Sequence, residues 1–220
     1  MKLKFLGHSC FELTESKNIL IDPFISGNPA APGVELKPDI IAVTHAHSDH
    51  FGDTAELAVK HKCKVVSIHE ISKYLGARGI PCEGMNKGGT ITIDGVDFTM
   101  TEAVHSSSFR DFDGGCPAGF VIRDKTSVYH AGDTALFWDM KLIKELYHPE
   151  IALLPIGDRY TMGIREAATA ASWLNPKIVV PMHYGTYPSI KQSPQEFAER
   201  VLSLCDSEVV ILKPGEGFEY

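Results

Sequence analysis

The stretch VTHAHSDHFGD, residues Val43 to Asp53, places three histidines and an aspartate within six residues. It continues the run from Ile40 to Thr44, which its β-branched residues predict to be a buried strand. His45 and His47 are two residues apart, and side chains at positions i and i+2 of an extended chain point the same way. Both imidazoles can therefore reach one ion.

Asp49 and His50 follow where the chain turns into a helix predicted from Phe51 to Lys62. They can reach a second point beside the first, and the positive end of the helix favours Asp49. Gly52 provides the small residue that the turn needs. Neutral imidazole and carboxylate are ligands of zinc and similar divalent ions. A solvated polar loop is the alternative, and four ligand-type residues in six positions favour the metal site.

The composition is that of a globular protein. The chain has 220 residues, 44% hydrophobic and 22% charged, which is compatible with one domain over residues 1–220. The formal net charge of −7 argues against a nucleic-acid backbone as the main partner. The five cysteines have no C-x-x-C spacing, and no run is long enough for a signal peptide or a membrane span. We therefore expect a cytoplasmic protein.

Strands and helices alternate along the rest of the chain. Asp94-Gly95 between two alternating runs predicts a hairpin, and Ser193 with Pro194 predicts the start of the last helix. Strands are predicted at Lys2–Leu6, Cys10–Leu13, Ile19–Ile21, Val65–Ile68, Thr90–Ile93, Val96–Thr101, Gly119–Tyr129 (a hairpin), Ile151–Leu154, Ile178–Val180 and Val209–Leu212. Helices are predicted at Ile71–Arg78, Leu136–Tyr147, Ile164–Leu174 and Pro194–Cys205.

Three more metal-ligand residues stand directly after predicted strands. They are His105, then Asp133 in the segment HAGDT, and His183 in the segment VPMHYG. Each alone is typical of an ordinary polar loop. Their shared position beyond a strand end predicts that they meet at one rim of a sheet.

The pattern His45-x-His47-x-Asp49-His50, followed by His105, Asp133 and His183, resembles the metallo-β-lactamase superfamily over nearly the whole chain. Gly7-His8-Ser9, Ile21-Asp22-Pro23 and Pro181–Gly185 are similar to its compact UlaG-like metal-dependent hydrolases of the UPF0173 type. The resemblance implies an α/β fold, a four-layer αββα sandwich of mixed sheets. It implies two divalent ions. Zinc is the metal expected most, and manganese, iron, cobalt and nickel are the alternatives.

The resemblance also implies a division of ligands. His45, His47 and His105 would hold the first ion, and Asp49, His50 and His183 the second, with Asp133 between them. A water between two such ions loses a proton easily. We therefore expect a hydroxide that bridges the ions to cleave an ester, lactone or phosphodiester bond of a small molecule, phosphorylated or otherwise anionic. Asp49 would orient this hydroxide while binding metal.

Other residues are weaker candidates. His8 is either a substrate contact or proton donor, or a buried structural histidine. Asp22 is either an acceptor for a ligand histidine or a turn former. Thr161 and His69 would line the pocket, although His69 suits a helix start better. The anion contacts considered are Arg110, Arg159 and Lys191, and the histidines interpreted as structural are His61, His130 and His148.

The spacing restricts the function within the resembled family. With 49 residues between Asp133 and His183, we expect no inserted domain of the kind that nucleic-acid-processing relatives carry. With 37 residues after His183, we expect neither a glyoxalase-type substrate domain nor a flavin-binding domain. The alternatives are a metal-dependent nuclease or RNA-processing enzyme, and a metal-binding protein without catalysis. The sequence allows a homo-oligomer and identifies no membrane or nucleic-acid partner.

Overall fold

The structure is a computed structural model that describes residues 1–109 and 111–220. The described residues form two seven-stranded sheets. The first has the order β16-β1-β2-β3-β4-β5-β6 and the second the order β15-β14-β13-β12-β11-β8-β7. The strands of the first sheet are β1 (Lys2–Gly7), β2 (Cys10–Thr14), β3 (Asn18–Ile21), β4 (Ile40–Ala42), β5 (Lys64–Ile68), β6 (Cys82–Met85) and β16 (Gly217–Glu219). Those of the second are β7 (Thr90–Ile93), β8 (Val96–Glu102), β11 (Ala118–Arg123), β12 (Ser127–His130), β13 (Ile151–Pro155), β14 (Ile178–Met182) and β15 (Glu208–Val209).

Both sheets are mixed. In the first, β1 is antiparallel to β16 and β2, and the ladder from β3 to β6 is parallel. In the second, β7, β8, β11 and β12 are antiparallel, and the ladder from β12 to β15 is parallel. Consequently β1, β3 and β4 run in one direction, and β8, β12, β13 and β14 also share a direction.

Helices cover the outer faces of the two sheets. They are α1 (Ser48–Phe51), α2 (Thr54–His61), α3 (His69–Gly76), α4 (Met140–Tyr147), α5 (Ile164–Leu174) and α6 (Pro194–Leu202), with a 3-10 turn at Pro188–Ile190. The helices α2 and α3 pack on the first sheet, and α5 and α6 on the second, with α4 against α5. One continuous hydrophobic cluster contains side chains of both sheets. The predicted four-layer αββα arrangement with mixed sheets is therefore confirmed.

Local sequence explains most of these elements. The strand β14, IVVPM, is buried along its whole length, as expected of a parallel strand covered on both faces. The Asp94-Gly95 turn has positive φ at both residues, 52° and 90°, which the predicted tight hairpin requires. Ser193 accepts a hydrogen bond from the Glu196 amide at 3.1 Å and caps α6 as predicted.

Several predicted boundaries are wrong. The helix expected over Phe51–Lys62 is two helices, because Gly52 has φ +40° and interrupts it. The helix expected from Leu136 starts at Met140, and the last parallel strand covers only Glu208–Val209. The strands β6 and β16 were not predicted, nor was the small hairpin of β9 (Ser108–Phe109) and β10 (Phe112–Asp113).

Two further observations bear on the sequence predictions. All five cysteines are free. Among the described residues, no helix has the length and apolarity that crossing a bilayer requires. Arg110, considered as an anion contact, lies outside the described residues.

Candidate metal centre

The predicted ligands follow strands that run in the same direction within each sheet. His8 follows β1, and the segment from His45 to His50 follows β4 in the first sheet. His105, Asp133 and His183 follow β8, β12 and β14 in the second. Because these strands end at the edge where the two sheets face each other, residues far apart in sequence come together there.

The first group of donors consists of His45, His47 and His105. One ligand atom from each lies within 4.8 Å of the others. His45 Nε2 is 3.0 Å from His47 Nδ1, and Ser106 Oγ lies 3.5 Å from His47 Nε2. These are the three residues expected to hold the first ion, and their geometry can hold one.

The second group contains the expected Asp49, His50 and His183, together with His8. His8 Nε2 is 3.1 Å from Asp49 Oδ2, and His8 Nδ1 is 3.0 Å from Thr186 Oγ1. The His8 and His183 rings are 4.1 Å apart between centroids. His8 therefore belongs to the group itself, where it offers a fourth donor.

Asp133 lies between the two groups. Its Oδ1 is 3.2 Å from His50 Nε2, and its Oδ2 is 3.0 Å from His183 Nε2. The same Oδ2 is 3.6 Å from His105 Nε2. A carboxylate in this position contacts histidines of both groups, as the bridging role expected for it requires.

Asp22 is a fully buried carboxylate behind the groups. It accepts hydrogen bonds from the Thr44 amide at 2.8 Å and the Thr44 hydroxyl at 2.7 Å. Its Oδ2 lies 2.7 Å from His50 Nδ1. The Thr44 hydroxyl, 3.0 Å from His45 Nδ1, therefore accepts from that nitrogen. Asp22 thus orients His50 directly and His45 through Thr44, leaving each Nε2 free to face the centre.

Three residues of the centre have left-handed backbone conformations. The φ angles are 59° at His8, 46° at Asp22 and 53° at His183. Such conformations are unfavourable for residues with a side chain and concentrate at functional sites. The His183 amide donates to the His8 carbonyl at 2.7 Å, which holds two of these turns together.

Burial keeps most of the imidazoles neutral. It lowers the pKa of His45, His47 and His105, and it lowers the pKa of His8 to about 4. For His50, burial works against the charge, but Asp133 and Asp22 raise its pKa well above the usual value.

The carboxylates of the centre stay ionised. Burial would raise the pKa of Asp133, but His183 and His50 hold it well below the usual range. Burial would also raise the pKa of Asp49, and the hydrogen bond from His8 and the nearby His50 lower it. Neutral imidazoles and charged carboxylates are the forms in which these side chains bind metal.

Some donor atoms of the centre lack hydrogen-bond partners and would be satisfied by a divalent ion. His50 Nε2 and Asp133 Oδ1 are buried and have no hydrogen-bond partner among the described residues. Buried polar atoms without partners are costly. A cation between them would satisfy both, and a set of imidazole nitrogens and carboxylate oxygens is one that zinc accepts.

The remaining predicted residues lie outside the groups. His69 is exposed at the first residue of α3 and belongs to none of the metal-binding groups. The Thr161 hydroxyl lies 3.3 Å from the Met162 carbonyl. The Met162 amide donates to the Thr134 carbonyl, next to Asp133, so the Thr161 loop adjoins the centre through the backbone.

Sequence reasoning missed Thr44, Ser107 and Thr186. The Ser107 hydroxyl accepts from the Ala46 amide at 3.1 Å and holds the His-x-His segment from the opposite sheet. Thr44 and Ser107 each stand within two residues of a predicted ligand, which is the one local signal available. Thr186 is recognisable only through its contact with His8.

The centre is accessible from one side. Asp49, His47 and His105 are the donors that are only partly buried, and the side chains of Asp49 and His105 are 33% and 14% exposed. His8 and Thr186 also border a cavity of about 350 Å³, which has a mainly apolar lining and includes Lys213.

Comparison with known proteins identifies the family of this chain. Residues 2–183 match the family model of the β-lactamase superfamily domain. UPF0173 metal-dependent hydrolases of Methanosarcina barkeri and Methanosarcina mazei are each 53% identical over 100% of this chain and 98% of their own length. The solved structure of Igni18, a metallo hydrolase from Ignicoccus hospitalis, superposes with a TM-score of 0.92 at 42% identity, covering 100% of this chain and 98% of that one. The chain therefore belongs to the UPF0173 metal-dependent hydrolases of the β-lactamase superfamily.

Proposed function

We propose that this hydrolase holds two divalent metal ions, with zinc as the preferred metal, and cleaves an ester, lactone or phosphodiester bond of a small molecule. The observation that carries the proposal is the position of Asp133. Its carboxylate contacts His50 and His183 on one side and His105 on the other. A shared carboxylate offsets the repulsion between two dications about 3.5–4 Å apart.

When bound, the ions would lower the pKa of a coordinated water and polarise the oxygen of the bond under attack. The chain's own residues supply orientation. Asp49 is held by His8 at 3.1 Å and is the more exposed carboxylate of the centre. It is therefore placed to accept a hydrogen bond from the attacking water on the accessible side. No serine or cysteine nucleophile is needed.

Two features support a small substrate with negative charge. The cavity beside His8 has about 350 Å³, at the lower end of the range for small-molecule sites. Lys213 is one of its lining residues. The net charge of −7 argues against an extended nucleic acid as substrate. We propose a compact anionic ester, lactone or phosphodiester.

The test combines metal analysis with a substrate panel. Wild-type protein should contain about two divalent ions per chain and hydrolyse at least one member of an ester, lactone and phosphodiester panel. Asp49→Ala should lose activity by about 10²-fold or more, the size expected when a group that handles the reacting proton is removed. His69→Gln, a surface histidine outside the groups, serves as the matched control and should keep full activity.

Each outcome discriminates between functions. Two bound ions without turnover on the panel would indicate a metal-binding protein that is not a catalyst. Salt-dependent cleavage of oligonucleotides, without cleavage of small esters, would indicate a nuclease. Failure to bind two ions would overturn the proposal.

A further inference from the structure

His130, the last residue of β12, is fully buried and hydrogen-bonded at both ring nitrogens. Its Nε2 lies 2.9 Å from the Ser9 carbonyl, and its Nδ1 lies 3.1 Å from the Gly132 amide. A carbonyl can only accept and an amide N–H can only donate. The ring proton is therefore on Nε2, and the tautomer is fixed by these two contacts.

The two partners belong to opposite sheets. Ser9 follows His8 in the turn between β1 and β2, whereas Gly132 precedes Asp133 after β12. His130 thus connects the backbone beside one donor group to the backbone beside the carboxylate between the groups. The neighbouring carbonyl, that of His8, is bound by the His183 amide. Both successive carbonyls of this left-handed turn are consequently held by the second sheet.

The side chain of His130 joins the backbone of these two turns directly. Gly132 has φ +62°, and a Cβ there would run into the Ala118 carbonyl. At this residue the segment that carries Asp133 therefore lies directly against the Ala118 backbone and the Thr44 side chain. The His130 ring packs edge-to-face on Phe11 with centroids 5.8 Å apart, and burial lowers the pKa of His130, which keeps the ring neutral.

We propose that His130 is a positioning residue of the metal centre, which sets the separation between His8 and Asp133 by bonding to Ser9 and Gly132 at once. The inference rests on the proposed two-ion function. His130 contacts no substrate and no ion, and it acts through the two turns that carry donors. The bond to Ser9 is the decisive one, because it crosses between the sheets.

Three substitutions separate the two bonds. His130→Phe keeps the ring volume and removes both. His130→Gln places an amide nitrogen near the Nε2 position and can still donate to Ser9. His130→Asn places an amide oxygen near the Nδ1 position and can still accept from Gly132, but it is too short to reach Ser9. The control is His61→Phe, the same exchange at a histidine outside all donor groups.

The readouts are zinc affinity by chelator competition, the absorption spectrum of the cobalt-substituted protein, and amide hydrogen exchange of Gly132 in the metal-free protein. His130→Phe should lose about 10-fold or more in zinc affinity, as expected for a group that supports ligands from outside the donor set. It should also shift the cobalt spectrum and accelerate exchange at Gly132. His130→Gln keeps the bond to Ser9 but not the bond to Gly132, so its loss of zinc affinity should be smaller than that of the phenylalanine variant.

His130→Asn should retain the wild-type protection of the Gly132 amide against hydrogen exchange. Its zinc affinity should nevertheless fall as much as that of the phenylalanine variant. Equal zinc affinity in wild type, His130→Asn and His130→Gln would overturn the inference while leaving the two-ion function intact. Absence of bound ions in the wild type would instead overturn the proposed function. Should His130→Phe not fold, the asparagine and glutamine variants decide the question alone.

Discussion

At the level of single residues, the Thr44 hydroxyl connects a buried carboxylate to one of the metal-ligand histidines. Its hydroxyl donates to Asp22 and accepts from His45 Nδ1, while Asp22 also binds His50. One buried carboxylate therefore orients two histidines that belong to different donor groups. Through Thr44 it also keeps the His45 proton on Nδ1, so that His45 Nε2 faces the centre without a proton.

Thr44→Val should show this role, because valine has the same shape but no hydroxyl. We expect about a 10-fold loss of zinc affinity, the usual size for a lost ligand partner. The free energy of unfolding should fall by about 1–3 kcal/mol, since His45 Nδ1 and one Asp22 oxygen lose a buried partner. Chelator competition and urea unfolding measure the two effects. Thr44→Ser retains the hydroxyl and should behave as wild type, and equal losses in both variants would contradict the explanation.

At the level of elements, the short helix α1 carries Asp49 and His50 and ends at Gly52. Gly52 has φ +40°, and a Cβ there would meet the Pro23 carbonyl and Phe24. Gly52→Ala should therefore lower the free energy of unfolding by about 1–3 kcal/mol, the cost of a strained backbone residue. It should also weaken zinc binding, because the helix must move away from Pro23.

Gly33→Ala is the matched control, since a Cβ at Gly33 meets nothing within 4 Å. It should be neutral or slightly stabilising. Thermal unfolding and metal titration of both variants provide the measurement. If both alanine variants gave the same result, close packing at Gly52 would not be the cause.

The cap of α6 should affect stability and not metal binding. Ser193 Oγ accepts from the Glu196 amide, and Ser193 belongs to none of the donor groups. Ser193→Ala should lower the free energy of unfolding by about 1 kcal/mol. Zinc affinity should stay unchanged. Ser193→Asp retains a capping oxygen and should restore the loss, and a loss of zinc affinity in the alanine variant would contradict this assignment.

Elements with a strong local pattern were predictable. The strands around the His-x-His segment, the Asp94-Gly95 hairpin and the capped α6 all follow from residues close together in sequence. The seven predicted ligands converge as expected, because they lie on the segments that follow strands of the two sheets, including the short helix α1, and co-directional strands end at one edge. The two mixed sheets and their four-layer arrangement were also predicted, from the resemblance.

Elements that depend on distant residues were not predictable. The strand β6, CEGM, has little hydrophobic alternation and is held by parallel pairing to β5. The strand β16 exists because β1 provides its partner. The roles of Thr44, Ser107 and His130 rest on side-chain bonds that no local pattern shows. The split at Gly52 depends on the approach of Pro23, 29 positions earlier.

At the level of the whole molecule, the buried histidines make the metal-free protein sensitive to acid. Burial lowers the pKa of His8 to about 4, and it lowers the pKa of His45 and His130 below the usual value of 6.5. Between pH 6.5 and about 4, these histidines therefore bind protons in the unfolded chain but not in the folded chain. Stability must fall as the pH falls through this window.

Three residues of the centre, His50, Asp49 and Asp133, affect stability outside this pH window. The raised pKa of His50 gives stabilisation that is complete below pH 6.5 and is lost only as the pH rises through the raised value. The lowered pKa values of Asp49 and Asp133 give stabilisation that declines only below the usual aspartate value of 3.8. We expect the urea midpoint of chelator-treated protein to decrease steadily from pH 7 to pH 4.5. A constant or rising midpoint would contradict the neutral state of these histidines.

The donors divide along the chain in the same way as the sheets. All those up to His50 come from the first sheet, and His105, Asp133 and His183 come from the second. Apart from β16, which returns to the first sheet at Gly217–Glu219, Met85 ends the first sheet's share of the chain and Thr90 begins the second's. Bound ions would thus link the first and second sheets across the face that they share. If the protein is cut between these two residues, zinc should raise the affinity of the two fragments for each other, and chelation should lower it.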